Sequence, residues 1–214
     1  MVQVNDTPNV LYEELPEEWN GYPINWWFQV GIQIYLVSED NELADFEKSE
    51  IIAELLFPEE IPPREELQKC IAWFLNGWCR DKSPEKKEKR RLIDFNVDQW
   101  RIYADFRQIY GINLNEADLH WWEFMGMLWN MPQRQSSFLQ VIDIRKKEIK
   151  PKMTKEEKKA IREAQQVYAL EERKQKVEYT EEEKQKIDEF DRLREQMKQK
   201  KEAQEEALQA FRRE

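Results

Sequence analysis

One histidine, two cysteines and a crowd of carboxylates are the side chains in this sequence to which chemistry could be assigned. His120 is the sole histidine, so metal sites built on a histidine pair and relays between two imidazoles are excluded. Asp118 and His120 are two apart, a spacing that turns side chains away from each other on a helix. His120 therefore reads as a cap or core-edge residue in preference to a general base. Cys70 and Cys79 fit no zinc spacing. A disulfide between them is the alternative to free thiols, and free thiols suit a cytosolic chain better. Ser136-Ser137 has no base partner near it in sequence and reads as a helix start. Neither a GxGxxG pattern nor a Walker loop is present to cradle phosphate. Carboxylate pairs are uninformative in a chain with 44 Asp and Glu. The expectation is a protein that is not an enzyme and uses no cofactor or metal.

Composition points to helices. The 214 residues are 36% charged and include only five glycines, which favours helix over turn-rich sheet. Nine tryptophans, within an aromatic share of 12%, let a short stretch of chain build a core. The net charge is −10 and the isoelectric point near 5.0, so the chain lacks the positive field that nucleic acid or an anionic membrane rewards. The basic run over 82–91 could touch phosphate, but in acidic surroundings a solvated loop is the simpler reading. No stretch approaches the roughly 20 apolar residues of a membrane span. Met1 to Leu15 carries acids and no apolar run, unlike a signal peptide. A soluble intracellular protein is expected.

The elements that would hold these residues follow from periodicity and punctuation. Residues 1–11 are expected as a flexible N-terminus, 12–150 as a helical core domain and 151–214 as a charged helical extension. Trp19-Asn20-Gly21-Tyr22 marks a β-hairpin with a type I′ turn, Pro23 lying on its edge. Trp26 to Val37 admits a strand (Ile32, Ile34, Leu36) or a helix (Trp26, Val30, Ile34, Val37), with Asn25 as a possible cap. Asn41 to Phe57 fits an amphipathic helix stopped by Pro58. Pro63 stands at the first turn of a helix whose stripe is Leu67, Cys70, Ile71, Phe74, Leu75 and Trp78. A mobile basic loop spans about 80–93. Asp94 or Asn96 then caps a helix through Tyr110, with Val97, Trp100, Tyr103, Phe106 and Tyr110 on one face and Gly111 ending it. Asn113 and Glu116 pair like a capping box for a helix to about Asn130 that has almost no polar face. A further helix covers Phe138 to Ile144.

Beyond Lys150 the helix starts at Thr154/Glu157 and Thr180/Glu183 introduce a highly charged stretch. Opposite charges four apart, such as Glu172/Lys176, Glu182/Lys186 and Asp188/Arg192, support a long exposed helix. Its sparse stripe includes Phe190, Met197, Leu208 and Phe211, the candidate partner contacts, and lapses between 198 and 207. A solvated helix and a partner-docking helix both fit. The fold class expected is mainly α, a compact helical domain with a small N-terminal hairpin and a long charged C-terminal helix.

The segments DQWRIYADFRQIYGINL, DLHWWEFMGMLWNMP and FLQVIDIRKKEI, together with YPIN, LLFPEEIP and CIAWFLNGW, resemble a bacteriophage family called gene product fifteen. The resemblance covers about 12–170 and leaves the tail after Leu170 outside it. Trp100, Tyr103, Phe106, Tyr110, Gly111, Leu119, His120, Trp121 and Trp122 carry it, and are expected to be mostly core. The resemblance implies a helix over Trp26–Val37. It also implies a siphophage tail-assembly chaperone, encoded between the major tail protein and the tape-measure protein, that binds the tape-measure protein and keeps it soluble during tube assembly. The major tail tube protein and a second copy of the chain are further candidate partners; nucleic acid and membrane are not. Such a protein would act in the host cytoplasm and be absent from the virion. The competing reading is a permanent component of the tail or connector.

Overall fold

The structure is a computed structural model and describes residues 8–79, 91–171 and Arg192. Asn20 and Gly21 take φ of 50° and 87°, the left-handed values that the first Asn-Gly turn requires. The turn joins β1 (Glu18–Trp19) to β2 (Tyr22–Pro23), antiparallel with Glu18 opposite Pro23 and Trp19 opposite Tyr22. Two-residue strands cannot stand alone, so the hairpin is held by Trp19, which is buried with its ring 4.8 Å from Trp73. Upstream, Asn9 to Glu13 is ordered as a turn, with Tyr12 and Glu13 amides donating to the Asn9 carbonyl. The described part of the expected loose N-terminus is therefore structured.

Seven α-helices follow among the described residues: α1 (Phe28–Glu39), α2 (Asp45–Leu56), α3 (Arg64–Asn76), α4 (Phe95–Asp105), α5 (Trp121–Trp129), α6 (Ser137–Lys146) and α7 (Lys155–Val167). The chain is mainly α, as its composition implies. Trp26–Val37 resolves as helix after one short backbone pairing: Phe28 N donates to Leu119 O and Trp121 N to Trp26 O. Asn25 is not its cap. The helix starts beyond it at Phe28, and the Asn25 amide is committed to Leu56 O at 2.7 Å. Pro63 immediately precedes α3, which stops at Asn76, short of Trp78.

Asp94 caps α4, its carboxylate accepting from the amides of Asn96 and Val97. The helix then widens into one π turn, Phe106–Tyr110, and Gly111 at φ 72° ends it. Asn113 and Glu116 do not start α5. The Asn113 side chain instead accepts from the Tyr103 hydroxyl and the Asn115 amide, making a turn, and the helix begins seven residues later than expected, at Trp121.

Helix α5 is the centre of the core. Trp121, Phe124 and Leu128 are fully buried, with Phe124 stacked 4.9 Å from Phe28 and 5.1 Å from Phe106. Trp122 donates its indole N–H to Phe74 O, tying α5 to α3. The approach of α1 to α5 depends on Gly31, where a Cβ would lie 2.2 Å from the Trp121 ring. The chain divides into a compact unit, Met1–Lys174, and a second unit, Gln175–Glu214. Thr154 and Glu157 form the expected capping box of α7, which packs on α6 as part of the first unit. The stretch 151–170, expected to open the extension, thus belongs to the core domain. Residues 91–93, expected in the mobile loop, are also packed: Ile93 is buried and Arg91 pairs with Asp94 at 2.7 Å. The expected charged helix beyond 171, with the Thr180/Glu183 start, lies outside the described residues apart from Arg192.

Candidate functional site

The inner face of α4 carries two aspartates. Phe95, Asp98, Ile102 and Asp105 are spaced three, four and three, and all four are buried. Asp98 accepts from both terminal guanidinium nitrogens of Arg145, Nη1 and Nη2, at 2.6 and 3.0 Å, the paired geometry that planar guanidinium and carboxylate allow. Arg101 adds a third contact at 3.1 Å. The same Arg145 donates to Leu92 O and Tyr168 O, both at 2.8 Å. One side chain thus ties the start of α4, α6 and the end of α7 together.

Asp105 serves the next helix. Its carboxylate accepts from Ser136 Oγ, Ser137 Oγ and the amides of Ser137 and Phe138, at 2.7 to 3.1 Å. A negative charge at a helix N-terminus is favourable, and here every bond also fixes where α6 begins. Ser136 itself caps α6, accepting from the Leu139 amide. These contacts hold the start of α6 against α4.

His120 lies just outside the helix and caps α5. Its Nδ1 accepts the Trp122 amide at 2.9 Å, and its Nε2 lies 3.1 Å from Pro16 O. An amide can only donate, so Nδ1 is bare and the proton sits on Nε2, donating to Pro16. Burial lowers the His120 pKa to about 4, against a smaller upward effect from the Pro16 bond. The ring ends a parallel stack, 5.8 Å from Trp26, which is 5.1 Å from Trp27. Both cysteines are free thiols: Cys70 is buried, its thiol pushed up to about 12 chiefly by that burial, and Cys79 is exposed.

The outer face of α4 is different. Trp100, expected on the buried face, is 74% exposed, and Val97 is 50% exposed. The reason is phase: at about 100° per residue, Trp100 points some 200° away from Asp98. The paired aspartates occupy the inner face, and the large apolar residues are left outside. Of the other family-motif positions, Phe106, Leu119, His120, Trp121 and Trp122 are buried, Tyr103 and Tyr110 are half-buried, and Gly111 is exposed at its turn.

Beside Trp100 runs a cleft of about 230 Å³. Helix α1 contributes Phe28 and Ile32, α4 contributes Phe95, Gln99, Trp100, Ile102 and Tyr103, and Leu114, Asn115 and Phe124 complete it. None of these residues is ionised, in a chain that is 36% charged. The flanks match: the exposed residues of α1 are Gln29 and Gln33, and those of α4 are Asn96, Val97, Gln99, Trp100 and Ala104. By contrast six of the nine exposed residues of α7 are charged, Lys155, Glu156, Glu157, Lys159, Arg162 and Glu163, beside Ala160, Gln166 and Val167. Such an apolar, uncharged zone is suited to binding protein. Sequence reading missed the zone, although α4's stripe at 97, 100 and 104, distinct from a second stripe at 95, 98, 102 and 105, was a signal for it.

Among the described residues no group of three or more His, Cys, Asp or Glu is placed to hold a metal ion. Among them, too, no helix is long and apolar enough to cross a membrane. The candidate contacts Phe190, Met197, Leu208 and Phe211 lie outside the described residues. Neither a curated protein nor a solved structure matches the chain. The sequence model of the family described as bacteriophage Gp15 protein matches residues 11–170, which takes in every element from the hairpin to α7. With three quarters of its length matched, the chain belongs to the bacteriophage Gp15 family.

Proposed function

We propose that this protein is a tail-assembly chaperone that binds the phage tape-measure protein and keeps it soluble in the host cytoplasm while the tail tube assembles. The observation that carries this reading is the uncharged cleft between α1 and α4 with Trp100 exposed at its edge. The indole, Val97 beside it and the cleft lining form one contiguous apolar patch, and such patches mark interaction sites. A tape-measure protein is long and rich in helices, and its apolar stripes aggregate until something covers them. Membership of a phage family supplies the biological setting, and the family resemblance supplies the partner. The net charge of −10 supports the same role, since like-charged complexes stay dispersed. The role calls for no catalytic group and no cofactor.

The test is co-expression of the tape-measure protein from the same phage with and without this chain. The expected result is a soluble tape measure only when the chain is present. A tape measure equally insoluble in both cultures would sink the reading. So would finding the chain in stoichiometric amount in purified virions by mass spectrometry, which is the outcome for a permanent tail or connector component.

A further inference from the structure

We propose that the outward stripe of α4 and the cleft beside it form the seat of an amphipathic helix of the tape-measure protein; this rests on the chaperone reading and names its contact surface. Val97, Trp100 and Ala104 are separated by three and then four residues, the repeat by which one helix meets another. All three are exposed. The inner stripe of the same helix is already engaged through Asp98 and Asp105. Helix α4 therefore has two helix-packing faces, and the described residues use one.

The shape and chemistry of the zone select the occupant. A ridge with a large aromatic at its middle, next to a cleft lined by Phe28 and Phe124, is the arrangement in which a groove takes an apolar anchor from a bound helix. Tryptophan is the residue type over-represented among those that dominate binding energy. An ionised side chain seated there would lose its water and find no counter-ion, so the bound stripe must be apolar.

Charge separates a foreign helix from a second copy. Two copies of this chain meeting through this face would bring together −10 and −10. The exposed residues of α1 and α4 supply no cation to offset that repulsion. A helix with neutral or basic flanks meets no such opposition from a chain of net charge −10.

The experiment uses the full chain co-expressed with the tape-measure protein, in wild-type form and as Trp100→Ala, Trp100→Phe and a variant with a photo-crosslinking residue at Ala104. Trp100→Ala is expected to reduce co-purified tape measure by about tenfold or more, with Trp100→Phe recovering part of it. Both variants should keep the wild-type melting temperature, because the side chain lies mostly in solvent. Irradiation should join position 104 to the tape measure, and proteolysis of the adduct should place the site in a helical, amphipathic segment. If wild type solubilises the tape measure and Trp100→Ala does so equally well, this surface is wrong while the chaperone reading stands. A cross-link to a second copy, or within the chain, overturns the proposal in the same way. If wild type itself fails to solubilise the partner, both fall.

Discussion

At the scale of single residues, the decisive contact is Arg145 with Asp98. Both are almost wholly buried, and the guanidinium gives two further donors to Leu92 O and Tyr168 O. A buried pair of this kind is strongly destabilising to break, because Asp98 keeps its desolvation cost and is left with only the half-buried Arg101 as counter-ion. Arg145→Met is expected to lower the unfolding free energy by about 3–5 kcal/mol in urea titration. Adding Asp98→Leu to it should restore part of the loss by removing a buried carboxylate that has lost its main counter-ion; a double variant no more stable than the single one would show that the carboxylate is not the problem. This pair also explains where residue-by-residue reading failed. Apolar spacing put Val97 and Trp100 on the inner face of α4, since the eye follows large apolar side chains. The actual inner face alternates Phe95 and Ile102 with two aspartates. An acid at a stripe position signals a buried partner, but Arg145 is 47 positions away from Asp98 and nothing local identifies it.

At the scale of elements, caps decide where helices begin, and the one on α5 is a titratable group. Neutral His120 accepts the Trp122 amide; its protonated form carries a proton on Nδ1 and cannot. Its folded pKa is about 4, below the ordinary 6.5. Between those values the unfolded chain binds a proton that the folded one refuses, so stability rises with pH across that window. The contribution is fully present above pH 6.5, is lost as pH falls towards 4, and amounts to on the order of 3 kcal/mol. His120→Asn keeps a capping oxygen and removes the titration. The difference in unfolding free energy between wild type and His120→Asn should therefore change between pH 6.5 and 4, carboxylates contributing to both alike; a constant difference would show that His120 titrates normally. Elements with their own punctuation were legible: the Asn20–Gly21 turn, the Asp94 cap, Gly111 and the Thr154/Glu157 box all act where the sequence puts them. The start of α5 was not, because Asn113 and Glu116 look like a capping box yet serve a turn anchored by Tyr103. The π turn after α4 has no sequence mark at all.

At the scale of the whole molecule, the question is where the folded domain ends. Charge content changes after Lys150, and composition alone draws the boundary there. The contacts draw it later. Helix α7 buries Ile161, Gln165 donates to Ile144 O and Lys147 O, and Arg101 lies 5.6 Å from the Tyr168 ring. The family match runs to 170 and so takes in all of α7. An amphipathic helix with one apolar residue per turn reads as solvated when its partner surface is unknown, which is why the composition misleads. Two truncations separate the alternatives. A chain ending at 174 keeps α7 and the Tyr168 acceptor of Arg145; a chain ending at 150 loses both. The shorter chain should be less stable than the longer by about 3 kcal/mol, from lost burial of Ile161 and a lost hydrogen bond to a charged group. Equal midpoints in urea would mean that α7 is an appendage and that the domain does end at 150. The expected gap would instead make α7 part of the folded domain, its end supplying the Tyr168 carbonyl that accepts from Arg145 and its buried Ile161 adding to the core.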